Sequence, residues 1–141
     1  TDAHHGDGSW ELFASEHDVM YYCFCEGRDD RINNNFNMQL LRPVTPDKYF
    51  NLLQKIFIQA VEAFQPEAIF WNWGYDGTAG EYGDMGLPLD LHVKLAAELK
   101  AIADRMCSGR LITVLCGGHR RDYAALLIPE IIRVMAGPEI T

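Results

Sequence analysis

The sequence predicts a three-layer α/β fold, with a mostly parallel sheet flanked by helices. Three apolar runs are typical of buried strands, namely Val19–Cys25, Ala68–Trp73 and Leu111–Cys116. Amphipathic helical segments alternate with these runs, and this order favours a sheet of parallel strands. Polar clusters follow the predicted strand ends, which is where open parallel sheets bind ligands.

The first third of the chain is predicted from its apolar runs and turn residues. Trp10–Glu16 is expected to form a short helix or a turn. Glu26–Asn37 is polar and contains three consecutive asparagines, so we expect an exposed loop. Met38–Pro43 is expected to form a short edge strand.

Three longer helices are predicted from apolar residues at helical spacing. The first begins at Thr45, an N-cap residue followed by a proline, and it ends before Pro66. The second covers Asp90–Met106 and the third covers Asp122–Met135. A proline inside the third helix, Pro129, is expected to kink it.

Composition limits the classes of function. The chain has 141 residues, a one-domain length, and 48% of them are hydrophobic, enough for a core. The net charge of −8 argues against a nucleic-acid partner, and the absence of an apolar run near 20 residues argues against a membrane span. The four cysteines lack zinc-finger spacing, and Cys23 and Cys25 would share one strand face. We expect them to be reduced core residues of an intracellular, cytoplasmic protein, with a nuclear location left open.

The stretch at residues 2–8 carries the strongest chemical signal. If it ends a strand, alternation places Asp2 and His4 on one face. A carboxylate and an imidazole form two-thirds of a mixed oxygen and nitrogen site for a catalytic zinc. Gly6 and Gly8 would let the backbone turn close to the metal. The alternatives are a tag remnant or a frayed polar terminus.

This stretch, Asp-Ala-His-His-Gly-Asp-Gly, resembles the Asp-x-His-His-Gly-Asp-Gly signature of the histone deacetylase superfamily. That superfamily includes acetoin-utilisation proteins and acetylpolyamine amidohydrolases. Further matches follow in the same order: a Val-Met strand, the Gly-x-Asp of residues 74–76, a Gly-Asp shortly downstream, and Gly-Gly before the last helix. The resemblance implies an arginase/deacetylase-like fold, of which this chain forms an incomplete part.

The resemblance also implies roles for individual residues. Asp2, His4 and Asp76 match the family's zinc ligands, and Asp7 matches an aspartate that hydrogen-bonds a catalytic histidine. A helix cap is the alternative for Asp7. His119 stands where most deacetylases have a tyrosine that stabilises the oxyanion. Three alternatives stay open for His119. Its shorter side chain would fail to reach the same oxygen, or it would swing outward and leave a larger pocket, or it would simply be a polar loop residue.

Other family features concern the rest of the domain. A monovalent cation, K⁺, is implied near Asp2 and the Val19–Cys25 strand. The family's tandem His pair and a further aspartate precede the opening signature and have no equivalent in this sequence. We therefore interpret residues 1–141 as a single partial domain, the C-terminal part of a deacetylase-like catalytic domain. Its expected partner is the missing N-terminal half, or a second copy of the chain.

The function implied by the resemblance is that of a zinc-dependent amidohydrolase. It would remove acetyl or related acyl groups from lysine or polyamine-type amines, and this fragment alone would be inactive without the upstream histidines. The alternative is a catalytically weak or inactive module that keeps the metal and binds acyl-lysine. A structural module with a vestigial site is the third hypothesis.

Overall fold

The computed structural model describes residues 1–25 and 29–137, which form an α/β fold. The strands are β1 (Tyr21–Cys25), β2 (Asp30–Ile32), β3 (Asn35–Gln39), β4 (Ile69–Gly74) and β5 (Leu111–Gly117). The helices are α1 (Asp7–Phe13), α2 (Pro46–Leu52), α3 (Ile58–Phe64), α4 (Leu89–Cys107) and α5 (Arg121–Ala136). A π-helical turn, Leu53–Phe57, connects α2 to α3.

The strands pair mainly in parallel, as predicted. β1 and β3 are parallel, β4 and β5 are parallel, and only the short β2 runs antiparallel to β3 among the described strands. The order within the larger sheet is β1-β3-β2, and β4 pairs with β5 in a separate ladder. The three predicted strands are confirmed as β1, β4 and β5, with shifts of a residue or two at their ends.

The predicted loop Glu26–Asn37 is wrong over its described part. Residues 26–28 lie outside the described residues, but β2 and the start of β3 occupy positions that were expected to be irregular. Asn35 and Asn37 point inward from β3, and the Asn35 side-chain amide donates to the carbonyl of Trp10 at 2.8 Å. The Cys25 thiol donates to Asn37 Oδ1 at 3.1 Å. These hydrogen bonds favour the strand and override the turn preference of the two asparagines.

The predicted edge strand Met38–Pro43 is also corrected. Only its first two residues belong to β3, which lies in the middle of its sheet, between β1 and β2. The strand therefore begins earlier in the sequence and ends earlier than predicted. The apolar residues that follow it leave the sheet, and Leu40 and Val44 are buried in the core instead.

The predicted helices are confirmed. Thr45 caps α2 by accepting a hydrogen bond from the backbone of Lys48 at 3.2 Å. Gln65 and Ser108 end α3 and α4 in the left-handed conformation. The apolar stripe of α4 is buried, and its members Leu91, Leu95, Leu99 and Ile102 are each at most 3% exposed. None of the helices in the described ranges is both long and apolar enough to cross a bilayer.

The core lies between the helices and one face of the strands. Tyr22 and Phe24 of β1 pack against Phe57 and Tyr49 of the helix that covers them. Trp71 and Trp73 of β4 are buried, and Trp73 donates a hydrogen bond to His92 of α4, whereas Phe70 on the opposite face is 67% exposed. The alternation along β4 and β5 therefore leaves an apolar face without a helical layer among the described residues, in agreement with an incomplete domain.

Candidate metal centre

The first residues bring a carboxylate and an imidazole together through a turn. Thr1 pairs with β4, since its N–H donates to the carbonyl of Asn72 at 2.7 Å and its carbonyl accepts from Gly74 at 2.8 Å. The segment then bends, and the His4 backbone N–H donates to Asp2 Oδ1 at 2.9 Å. Strand alternation was the expected reason for the proximity of Asp2 and His4. The observed contact between their side chains is instead formed within an Asx-type turn.

Asp76 joins this pair because it follows β4, the strand beside Thr1. The Ala3 N–H donates to Asp76 Oδ1 at 3.2 Å, and His4 Nδ1 lies 2.8 Å from Asp76 Oδ2. His4 Nδ1 also lies 3.1 Å from Asp2 Oδ1. The three residues predicted as metal ligands therefore converge, with one ligand atom from each within 4.8 Å of the others.

The chemistry of these groups fits a cation. Although His4 Nδ1 lies close to Asp76 Oδ2, this oxygen is buried and has no hydrogen-bond partner among the described residues. A zinc ion bound at about 2.1 Å to each ligand would place tetrahedral ligand atoms about 3.4 Å apart. The observed separations of 2.8 and 3.1 Å would have to widen by about 0.6 and 0.3 Å to reach this spacing.

Electrostatics support the same conclusion. Burial raises the pKa of Asp76, the Ala3 N–H opposes this shift, and the neighbouring Asp2 carboxylate adds to it. Two carboxylates this close repel one another when both are ionised. A divalent cation between them would remove that penalty and favour both charged forms.

Three glycines form a tight cradle around the two carboxylates. A Cβ at Gly117 would lie 2.5 Å from Asp2 Oδ2 and 3.0 Å from Asp76 Cγ. A Cβ at Gly83 would lie 2.7 Å from the Cβ of Ala3 and 3.1 Å from Asp76 Oδ2. A Cβ at Gly74 would approach Asp2 Oδ2 and, at 2.8 Å, Asp76 Oδ1. Any side chain at these positions would displace a ligand, so the carboxylates depend on glycine for their position.

A tyrosine, Tyr82, contacts both His119 and the metal ligand His4. The Tyr82 ring stacks on His4 with centroids 5.5 Å apart, and it also lies 5.6 Å from the His119 ring. Its hydroxyl accepts a hydrogen bond from the Gly118 N–H at 3.4 Å. Tyr82 is 58% exposed, so it forms part of the rim above the metal ligands.

Glu81 holds the loop that carries His119. Its carboxylate is buried and accepts hydrogen bonds from the backbone of His119 at 3.1 Å and of Arg120 at 2.8 Å. It also contacts His119 Nδ1 directly. Burial alone would raise the pKa of Glu81, but these hydrogen bonds outweigh it and lower the pKa. Glu81 is thus a charged anchor that leaves only Nε2 of His119 available to a ligand.

Asp7 has a simpler environment. Asp7 is the first residue of α1, and the N-cap position before it is occupied by Gly6. No side chain caps this helix, so the alternative expectation that Asp7 is a helix cap is wrong. Its side chain is 88% exposed and lies 3.9 Å from His5 Nε2. Its predicted partner, a catalytic histidine, is not among the described residues, and the role of Asp7 stays a prediction.

Glu81, Tyr82 and the glycine cradle were missed by sequence reasoning. The available signal was the density of glycine in residues 77–86, together with an acidic and an aromatic residue between them. Glycine density indicates close backbone approach, but it does not reveal what the backbone approaches. The 38-residue separation between Glu81 and His119 has no local signature.

The chain is similar to known deacetylases over nearly its whole length. The family model described as "Histone deacetylase domain" matches residues 1–135. A "Histone deacetylase-like amidohydrolase" of Pseudomonas aeruginosa is 28% identical, over 96% of this chain and 40% of the relative. A "Probable deacetylase" of Archaeoglobus fulgidus is also 28% identical, over 99% of this chain and 43% of the relative. The chain therefore spans less than half the length of these two relatives.

Solved structures show the same fold. The histone deacetylase Clr3 superposes with a TM-score of 0.81 at 16% identity, covering 99% of this chain and 27% of that one. The HDA15 HD domain gives a TM-score of 0.79 at 19% identity, covering 99% of this chain and 44% of that one. These similarities show the fold of this chain, and they confirm the predicted architecture.

Proposed function

The chain belongs to the histone deacetylase family, and on that basis we propose that it supplies the metal centre of a zinc-dependent amidohydrolase. Its substrates would be acetyl or related acyl groups on lysine or polyamine-type amines. The observation that carries this proposal is the convergence of Asp2, His4 and Asp76, with a buried Asp76 oxygen lacking a hydrogen-bond partner among the described residues. The potassium ion expected near Asp2 and β1 stays a prediction.

The residues of this chain would hold and surround the reacting group. When bound, zinc polarises a carbonyl and activates water, which is the chemistry that amide hydrolysis needs. Asp2, His4 and Asp76 would supply two oxygen ligands and one nitrogen ligand, leaving room for substrate and water. Tyr82 would limit access from solvent over His4, and His119 would offer Nε2 toward the acyl oxygen. A base from outside this chain would take the proton.

A weak or non-catalytic acyl-lysine-binding module is the second candidate, and the environment of His119 favours it. Its Nδ1 is engaged by Glu81, and its ring contacts Tyr82, which also stacks on the His4 ring. A histidine held in this way is a poorer oxyanion donor than a tyrosine hydroxyl placed at the metal. Turnover of a trifluoroacetyl-lysine substrate, measured beside its binding affinity, separates the two candidates.

The proposed partner is further polypeptide of the same domain. A cleft of about 1170 Å³ lies between β1 and β4, bordered by Tyr21–Phe24 and Ile69–Asn72, with Thr1 paired at one end. Both bordering strands present backbone edges to it, and such edges pair with an added strand. We propose that a strand from the remainder of the deacetylase domain fills this cleft, and that a homo-oligomer forms where that strand is absent.

The metal proposal is tested by Asp76→Asn in the protein at its full natural length. We expect the variant to lose both stoichiometric zinc, measured by elemental analysis, and deacylation of an acyl-lysine substrate. Asp90→Asn is the matched control, because Asp90 is an exposed aspartate that pairs with Lys94 on α4. Full zinc retention by a folded Asp76→Asn protein would contradict the proposal, and normal zinc without turnover in the unaltered protein would favour the binding module.

A further inference from the structure

A second group of metal-binding side chains lies beside the first centre and has a different chemistry. Cys23 and Cys25 occupy alternate positions of β1 and therefore share one face, toward the turn that contains His5. One ligand atom from each of His5, Cys23 and Cys25 lies within 4.8 Å of the other two. Neither cysteine forms a disulfide, and both are at most 7% exposed.

The separation between His5 and Cys25 matches that between two ligands of a tetrahedral soft cation. Zinc binds sulfur at about 2.3 Å and imidazole nitrogen at about 2.0–2.1 Å, so two such ligands lie about 3.6 Å apart at a tetrahedral angle. His5 Nδ1 lies 3.6 Å from Cys25 Sγ. This pair is thus already at the required spacing, and the third ligand atom, on Cys23, lies within 4.8 Å of both.

The other nitrogen of His5 lies near a carboxylate. His5 Nε2 lies 3.9 Å from Asp7 Oδ1, which is ion-pair distance and longer than a hydrogen bond, so the carboxylate would have to move closer to bond the ring. A carboxylate on the distal nitrogen orients the ring and increases the basicity of the ligating one. His5 also packs against Trp10 of α1 with ring centroids 5.3 Å apart, which restricts the ring further.

We propose that His5, Cys23 and Cys25 form a second cation site, selective for a soft metal, zinc or copper(I). Two thiolates and one imidazole prefer such ions, whereas the Asp2-His4-Asp76 centre offers two oxygens and one nitrogen. Without metal, the Cys25 thiol donates to Asn37 Oδ1 at 3.1 Å, which holds the sulfur in its place on β1. The site does not depend on the proposed hydrolase activity, because it shares no ligand side chain with the first centre.

Cobalt(II) distinguishes the two sites, because only a thiolate ligand produces a sulfur-to-cobalt charge-transfer band in the near ultraviolet. We expect the protein at its full natural length to bind two cobalt ions in these centres, with the band belonging to one of them. Cys25→Ser should abolish the band, and Asp76→Asn should leave it intact while losing the other ion. Cys107→Ser is the matched control, since Cys107 is also buried but donates to the carbonyl of Arg110.

His5→Gln provides a test that leaves both buried thiols in place. Removing the imidazole should weaken cobalt and zinc binding at this site by at least ~10-fold. Mutating a residue that only hydrogen-bonds a metal ligand already weakens metal binding by about that factor, so losing a ligand should cost no less. If Cys25→Ser does not fold, the proposal is tested with His5→Gln alone. The proposal is overturned if no charge-transfer band forms, or if the band persists with unchanged affinity in His5→Gln.

Discussion

Gly117→Ala tests whether the glycine cradle positions the metal ligands. The added Cβ would lie 2.5 Å from Asp2 Oδ2, while ordinary contacts begin near 3.4 Å, so the carboxylate must retreat by about 0.9 Å. Metal–ligand distances tolerate only about 0.2 Å. The Asp2 carboxylate therefore cannot both avoid the new Cβ and keep its distance to the metal. Asp76 cannot compensate, because its Cγ lies 3.0 Å from the same Cβ and also has to move.

We therefore expect Gly117→Ala to weaken zinc binding by about 10–100-fold, the range measured when residues that orient a ligand are altered. Competition with a zinc chelator dye measures the affinity, and near-ultraviolet circular dichroism checks the fold. Gly8→Ala is the matched control, because its Cβ meets nothing within 4 Å and alanine suits the helix in which Gly8 lies. A zinc affinity within about twofold of the unaltered protein would refute the cradle argument.

Two further predictions concern His119 and His92. His119→Tyr, in the complete enzyme, should raise acetyl-lysine turnover at least about tenfold, roughly 1.4 kcal/mol, since a hydroxyl reaches further than an imidazole held by Glu81. An unchanged rate with normal zinc content would show that position 119 does not assist the oxyanion. His92 is buried and neutral, accepting from Trp73 at 3.2 Å and lying 2.9 Å from Thr78 Oγ1, and burial lowers its pKa to about 4 from 6.5. The unfolded chain therefore takes up the proton first as the pH falls, so up to about 3 kcal/mol of unfolding free energy should be lost between pH 6.5 and 4. The free energy of unfolding of His92→Gln, measured with urea, should fall less between pH 6.5 and 4 than that of the unaltered protein. An equal change of unfolding free energy with pH in the two proteins would contradict this account.

The sequence predicted those features whose physical cause is local. Strands β1, β4 and β5 were recognisable as apolar runs, and α2 and α4 from the N-cap Thr45 and the stripe that includes Leu95. These signals hold because burial periodicity and capping depend on residues a few positions apart. Asp2 and His4 were also predictable as neighbours, although an Asx-type turn, and not strand alternation, brings them together.

The tertiary structure decided which distant groups meet. Asp76 reaches His4 because β4 pairs with Thr1, and Glu81 anchors His119 from 38 positions away. Asn35 belongs to a strand, against its local preference, because the distant carbonyl of Trp10 accepts from its amide. Hydrophobic pattern and turn chemistry carry no information about such pairings, because a polar side chain is stabilised by whichever partner the packed sheets and helices place beside it.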